Sequence, residues 1–163
     1  MRTLLIGGAV AALVVALSAC GGSDSVDSEL QRQVDLHAIS QIEKDFHESM
    51  SKKDLDQMMR LWTENATMTG GAGITAAGKA EIRKFWAAAP PFQPENKWVS
   101  DHPAYKLRAT VNGDRGTLFF ECHFVDAPTG KVELVTAIDA DVQRTDGRWL
   151  ITSTVGSAAT LAP

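Results

Sequence analysis

The side chains that could do chemistry lie mainly on predicted strands in the second half of the sequence. Asp139 stands among apolar residues, and burial there would disfavour its charged form and raise its pKa. Such a carboxyl group could donate a hydrogen bond to a ligand or act as a base. The alternatives are an exposed strand residue and a strand residue bonded to Thr154 opposite. Cys122 could be a reactive thiol, although a small buried apolar residue is the more common role of such a cysteine.

Two further pairs could carry acid–base chemistry. Glu121 and His123 are two residues apart on a strand, so their side chains point the same way, and a structural pair is the favoured interpretation. Asp101 and His102 precede a proline that should bulge the strand, which could put them at the rim of a pocket. The histidines lack zinc-site spacing, and the glycines at 70–73 lack the Lys-Ser/Thr of a phosphate loop. The sequence therefore predicts no metal and no cofactor.

Composition restricts the class of partner. The 163 residues include 16 Lys+Arg and 20 Asp+Glu, for a net charge of −4. A mildly acidic chain without a basic run is not expected to bind nucleic acid. The two cysteines are Cys20 and Cys122, so lipidation of Cys20 would leave no internal disulfide.

The N-terminus has the features of a bacterial lipoprotein signal. Arg2 precedes an uncharged apolar run at 4–17, which has the length of a secretory h-region and is too short to span a bilayer. Leu-Ser-Ala-Cys at 17–20 resembles a lipobox. The resemblance implies that residues 1–19 are removed and that Cys20 is acylated, which would anchor the protein firmly. An ordinary signal peptide and an uncleaved anchor are the alternatives.

The exported chain divides into three predicted parts. Residues 20–27 are small, polar and acidic, and we expect them to form a flexible tether. One domain follows at 28–158, and 159–163 form a tail. The predicted location is the cell envelope. Gly21 follows the cysteine, at the position where an aspartate would resemble an inner-membrane sorting signal. If the host has an outer membrane, we therefore expect the protein there.

Three helices are predicted at the start of the domain. Ser28 with Gln31 and Asp54 with Gln57 form capping-box patterns, the first ahead of a long amphipathic helix and the second ahead of a short one. A third helix follows Gly78. The apolar spacing then changes from helical to alternating, which predicts strands at 98–111, 115–126, 132–144 and 149–157. Helices followed by antiparallel strands indicate an α+β fold.

The two long hairpins predict which residues share a face. Turns at Pro128-Thr129 and Asp146-Gly147 place one set of residues together: Phe120, Cys122, Phe124, Ala137, Asp139, Asp141 and Thr154. The opposite face is also apolar. One face should receive the helices, and the other a second subunit, so we expect a homodimer through the convex sheet face.

Several short motifs resemble the nuclear transport factor 2-like superfamily, which includes ketosteroid isomerase and SnoaL-like polyketide cyclases. They are Lys-Asp-Leu-Asp at 53–56, Asn-Ala-Thr-Met at 65–68, Gly-Lys-Ala-Glu-Ile at 78–82 and Asp-Gly-Arg-Trp-Leu-Ile at 146–151. The resemblance implies a cone-shaped roll, in which three N-terminal helices pack on a strongly curved antiparallel sheet around a pocket.

The resemblance also allows the isomerase's functional positions to be compared one by one. The place of the general base falls on Gly70, the place of the tyrosine donor on Phe46, and the place of the protonated carboxyl group on Asp139. Because glycine cannot move a proton, isomerase chemistry of that kind is not expected.

The sequence therefore favours an exported, lipid-anchored domain that binds a small, largely apolar molecule. The predicted ligand-binding residues are Phe46, Met50, Trp62, Phe85, Trp86, Phe120, Cys122, Phe124, Ala137, Asp139 and Thr154. One alternative is an isomerase, cyclase or hydrolase that uses Asp139, with help from Asp141, His102 or a bound water. Another is an accessory subunit of an envelope complex.

Overall fold

A computed structural model describes residues 23–100 and 106–158. Three α-helices and two short 3₁₀ helices form one side of the fold: α1 (Ser23–Lys52), α2 (Leu55–Met59), α3 (Lys79–Ala88), and the 3₁₀ helices Gly71–Gly73 and Pro90–Phe92. The seven strands are β1 (Trp62–Thr69), β2 (Thr75–Ala77), β3 (Trp98–Ser100), β4 (Leu107–Asn112), β5 (Arg115–Asp126), β6 (Lys131–Thr145) and β7 (Arg148–Ala158). In the described part of the chain, no helix is long and apolar enough to cross a membrane.

The strands form one curled, unclosed sheet against which the helices pack. Its order is β2-β1-β7-β6-β5-β3, and β4 also pairs with β5. The expected fold of three helices on a strongly curved sheet is confirmed. The sheet is mixed, however, because β1 runs parallel to β7 while every other pair is antiparallel.

Local signals explain where several elements begin and turn. The Asp54 carboxylate accepts a hydrogen bond from the Gln57 backbone N–H at 2.8 Å, so the predicted cap of α2 is confirmed. Asp146 and Gly147 both have positive φ, as the tight β6–β7 turn requires. Helix α1 begins at Ser23, ahead of the predicted start at Ser28, so part of the predicted tether is helical.

The predicted assignment of residues to the two faces of β6 is wrong for Ala137, Asp139 and Asp141. Register shifts lie between Phe124 and Val125 on the β5–β6 ladder and between Asp141 and Val142 on the β6–β7 ladder. Each irregularity offsets the pairing by one residue, which turns every side chain beyond it to the opposite face. Counting from the turns could not detect these bulges.

The inner face of the sheet carries the core. Alternate residues of β5 and β6 are buried there: Leu118, Phe120, Cys122, Phe124, Ile138, Ala140 and Val142. Helix α1 covers them with Ile39, Ile42, Phe46 and Met50, and α3 adds Ile82. The inner face therefore receives the helices, as expected, and none of the helices in the described residues covers the outer face of β5 and β6.

The two ends of this roll are built differently. At the closed end, the turn after β6 meets the first buried turn of α1, where Arg144 and Trp149 both contact Asp35. The open end lies at the other end of β5 and β6, between β3, the 3₁₀ helix Pro90–Phe92 and the last residues of β7.

Candidate functional site

A cavity of about 370 Å³ occupies the open end. Its lining comes from nearly every element that reaches this end: Met68, Thr69, Gly70, Gly71, Phe85, Trp86, Ala89, Pro90, Pro91, Trp98, Phe124, Leu134, Thr136, Ile138, Thr154, Gly156, Ser157 and Ala158. Pockets of this size and composition accommodate small organic ligands.

The lining is apolar and carries no charge among the described residues. The polar side chains are three threonines and one serine: Thr69, Thr136, Thr154 and Ser157. Without a cation or carboxylate, such a cavity would leave an ionised ligand without a partner, and burying an unpaired charge is strongly unfavourable. A neutral ligand fits the site better than an ion.

Aromatic rings form two walls of the cavity. Phe85 and Trp86 come from α3 and meet edge to face, with ring centroids 5.2 Å apart. Trp98 from β3 and Phe124 from the neighbouring strand β5 have ring centroids 5.9 Å apart. Trp86 is held in place by Phe46 at 5.4 Å. These contacts make the aromatic walls part of the packed core, so the cavity is preformed.

Four of the residues predicted to contact a ligand line this cavity. They are Phe85, Trp86, Phe124 and Thr154. Five others are buried in the core and are not part of the lining: Phe46, Met50, Trp62, Phe120 and Cys122. Helix α1 packs directly on the inner face at this level, so side chains fill the space that the sequence interpretation left to a ligand.

Asp139 and Ala137 lie on the outer face, away from the cavity. Asp139 pairs with Phe119 and Val155 and is exposed, and it borders a shallow hollow together with Arg108 and Asp141. The burial that was expected to perturb this carboxyl group is therefore absent. The bulges of β5–β6 and β6–β7 are the physical reason.

The structure places the other candidate residues at different locations. Gly70 lines the cavity with extended backbone. Glu121 and His123 lie on the outer face, 3.6 Å apart, and a hydrogen bond from Lys106 lowers the pKa of Glu121 although its burial opposes the shift. Asp101 and His102 lie outside the described residues, as do Cys20 and the rest of the predicted lipidation signal.

A buried polar cluster was not found from the sequence. His47 Nε2 lies 2.9 Å from Cys122 Sγ. On the other side of the ring, His47 Nδ1 lies 2.6 Å from Glu43 Oε1, a distance typical of an ion pair, although the angles do not fit a hydrogen bond. All three residues are buried. The four-residue steps from Ile39 to Glu43 and His47 were the available signal, because they place both polar residues on the apolar side of α1.

This cluster is not a metal site. The imidazole ring separates Glu43 from Cys122, so the carboxylate and the thiol contact opposite nitrogens. Among the described residues, no group of three or more His, Cys, Asp or Glu side chains is arranged to hold a metal ion.

Solved structures share this fold at low sequence identity. An NTF2-like protein with a cystatin-like fold from Novosphingobium aromaticivorans gives a TM-score of 0.74 at 16% identity, over 88% of this chain and 94% of that chain. A protein of unknown function with a cystatin-like fold from Nostoc punctiforme gives 0.68 at 16%, over 80% and 95%. A type 2 hexachlorocyclohexane dehydrochlorinase gives 0.63 at 17%, over 83% and 92%. Such identities support the fold alone.

Sequence comparison identifies the family. No curated protein matches the chain at a significant level. The model of the SnoaL-like domain matches residues 31–155, which include most of α1 and the sheet through the greater part of β7. The chain therefore belongs to the family of SnoaL-like domains, with the nuclear transport factor 2-like fold.

Proposed function

We propose that this domain binds a small, neutral, largely apolar molecule in the cavity at the open end. The observation that carries the proposal is the lining itself, which encloses about 370 Å³ without a charged side chain among the described residues. Burial of apolar surface would supply most of the affinity, at roughly 25 cal/mol per Å². The threonine hydroxyls would orient a polar substituent of the ligand.

The site supports binding better than isomerase-type proton transfer. By the resemblance to ketosteroid isomerase, the place of its base falls on Gly70, and Asp139 is on the outer face. Proton transfer needs a base within hydrogen-bond reach of the substrate. The hexachlorocyclohexane dehydrochlorinase with the same fold is named for a neutral, apolar substrate. That name supports the proposed class of ligand.

The proposal places the domain at the cell envelope, attached through lipid on Cys20. It also includes a homodimer through the outer sheet face, where Val99, Val132 and Val155 are exposed. Radiolabelled palmitate incorporated by the wild type and absent from a Cys20→Ala variant would support the anchor. A monomeric detergent-solubilised chain in light scattering would contradict the dimer.

Two residues of β6 provide a matched test of the cavity. Leu134 lines the cavity and Val132 lies on the outer face, and the two side chains are similarly exposed, at 41% and 36%. We expect Leu134→Glu to weaken binding of a neutral apolar probe at least tenfold, because it brings a charge to the apolar wall. Val132→Glu should bind the probe as the wild type does even if it disturbs the proposed dimer, because one chain supplies the whole described lining of the cavity.

Binding can be followed through the two tryptophans of the wall, Trp86 and Trp98. 1-Bromonaphthalene is neutral and apolar, and its heavy atom quenches tryptophan fluorescence on contact. The detergent-solubilised full chain is titrated in parallel for the wild type and both variants. The absence of saturable quenching in the wild type, or an equal loss in both variants, would contradict the proposed site.

A further inference from the structure

Glu43, His47 and Cys122 form a line of three buried polar groups where α1 meets β5. The thiol sulfur contacts one imidazole nitrogen at 2.9 Å, and the carboxylate contacts the other at 2.6 Å. A nucleophile beside a base, with the base held by a third group, is the arrangement that activates a side chain for covalent chemistry. The surroundings are apolar and include the ring of Phe120, whose centroid is 5.5 Å from that of His47.

The resting state of this line is set by burial. Burial raises the pKa of the Cys122 thiol far above its ordinary range, and a hydrogen bond from Thr136 acts in the opposite sense. The sulfur therefore keeps its proton, and the thiol can donate it to His47 Nε2. A protonated thiol beside a base resembles a serine nucleophile, which loses its proton only as it attacks.

Stability does not explain the cluster. Replacing a buried set of interacting ionisable groups by apolar side chains of similar volume is often neutral or stabilising. Cys122 lies on the inner face between Phe120 and Phe124, and His47 contacts it from α1. A buried thiol, imidazole and carboxylate in this order therefore call for a role beyond packing.

The thiol lies one side chain behind the cavity wall. Thr136 is the residue directly opposite Cys122 on the neighbouring strand, and its side chain lines the cavity. Phe124, the next inward residue on the strand of Cys122, also lines it. Rotation of the Thr136 side chain is the smallest movement that would connect the cavity with the sulfur, and rotamer changes of this kind are fast.

We propose that Cys122 is a nucleophile that captures neutral, electrophilic molecules held in the cavity, of the α,β-unsaturated carbonyl class. This inference rests on the proposed binding function. The sulfur forms a bond to the β-carbon, the thiol proton passes to His47 Nε2, and the electron pair of the carbon–carbon double bond moves into the carbonyl group as an enolate. Nε2 then returns the proton to the α-carbon.

The net reaction adds S–H across the double bond. It needs no oxidant, no cofactor and no leaving group. His47 acts as the base and then as the acid. Glu43 is a positioning residue, because its carboxylate faces Nδ1 and stabilises the imidazolium that exists between the two proton transfers.

The test uses a matched pair of ketones on the full chain. Benzylideneacetone is a neutral aromatic enone, and benzylacetone is its saturated counterpart, which has no electrophilic β-carbon and cannot undergo conjugate addition. Peptide mass spectrometry distinguishes an adduct at Cys122 from one at Cys20, and quenching titration measures benzylacetone binding. We expect one enone per Cys122 in the folded chain, with a rate that saturates in enone. The anionic reagent iodoacetate should leave Cys122 unmodified.

The variants separate the roles within the cluster. His47→Gln should lower the maximal adduct rate about 100-fold or more, the range of a lost general base. Glu43→Gln should lower the maximal rate while the half-saturating enone concentration stays unchanged, a separation that general loosening of the core would not give. Thr136→Ser keeps the hydroxyl group that hydrogen-bonds to the Cys122 sulfur and removes a methyl group from the wall, so we expect it to accelerate the reaction severalfold.

Each outcome bears on a distinct statement. If benzylacetone does not bind, the proposed binding function fails. If benzylacetone binds and Cys122 gains no enone in the folded chain, although it reacts in guanidinium, the cavity stands and the nucleophile is refuted. Circular dichroism checks the fold of each variant. Should His47→Gln unfold, an unaccelerated Thr136→Ser reaction would overturn the inference by itself.

Discussion

The closed end of the roll is held by hydrogen bonds to a buried carboxylate, whereas the open end surrounds an apolar cavity. At the closed end, Asp35 accepts hydrogen bonds from Trp149, Arg144 and Gln31, so a buried carboxylate is fully surrounded by donors. At the open end, the described lining has no charged side chain, and the space is left unfilled. The same strands, β6 and β7, supply both ends.

This difference shows how one sheet can have a rigid end and an end that is able to bind ligands. Polar groups close the end where α1 reaches the hairpin turn, because a carboxylate with three donors has a single satisfied geometry. An apolar lining imposes no such geometry and can accept ligands of several shapes. We therefore expect substitutions at the closed end to change stability, and substitutions at the open end to change binding.

The largest expected effect on stability is that of Asp35→Ala. Removing a buried carboxylate leaves the Trp149 N–H without its partner and leaves Arg144 with Asp114 alone, and breaking such a buried pair costs about 3 kcal/mol. Urea unfolding followed by circular dichroism would measure the loss.

Helix α1 also offers a matched control for Asp35. Glu29 forms an exposed ion pair with Arg32, and Glu29→Ala should leave the free energy of unfolding nearly unchanged, because solvent screens such a pair. Equal losses of unfolding free energy for Glu29→Ala and Asp35→Ala would show that the buried carboxylate stabilises the closed end no more than an exposed ion pair does.

Two glycines make the same comparison at the level of one methyl group. A Cβ on Gly116, near the closed end, would stand 2.4 Å from the Thr110 carbonyl oxygen and 2.9 Å from Ile39 Cδ1. Overpacking of this kind costs about 2 kcal/mol. A Cβ on Gly70 would meet Phe85 at 3.6 Å, an ordinary contact, on backbone that any residue can adopt.

We therefore expect Gly116→Ala to lower the melting temperature by several degrees and Gly70→Ala to raise it slightly, since alanine restricts the unfolded chain. Scanning calorimetry of the two variants side by side would measure both shifts. A Gly70→Ala loss as large as that of Gly116→Ala would mean that the open end is as tightly packed as the closed end.

The sequence predicted the elements of the fold better than the faces of its strands. The Asp54 cap, the Asp146-Gly147 turn and the change of period after α3 are local signals, and the structure follows them. The parallel pairing of β1 with β7 joins residues far apart in sequence. Local patterns contain no information on such a contact.

The candidate site was predicted most directly where no bulge intervenes. Phe85 and Trp86 were identified from helical spacing alone, and both line the cavity. Asp139 was misplaced because the ladder irregularities leave no reliable pattern in a strand that is apolar on both faces. The pair of Cys122 with His47 depends on how α1 crosses the sheet, which the sequence does not specify.

The smallest effect expected is a pH dependence of the closed end. Burial tends to raise the pKa of Asp35, but hydrogen bonds from Trp149, Arg144 and Gln31 outweigh it and hold the pKa below the usual value of about 3.9. A carboxyl group with a lowered pKa in the folded state stabilises the fold at any pH above its unfolded value. This stabilisation is lost progressively as the pH falls through the folded value. Other carboxyl groups titrate in the same range, so the useful quantity is the difference in unfolding free energy between the wild type and Asp35→Ala.

That difference should be constant from about pH 7 to about pH 5 and shrink below about pH 4, as measured by urea unfolding at each pH. A difference that stays constant down to about pH 2 would mean that the Asp35 charge contributes nothing, and that shape alone closes this end of the roll.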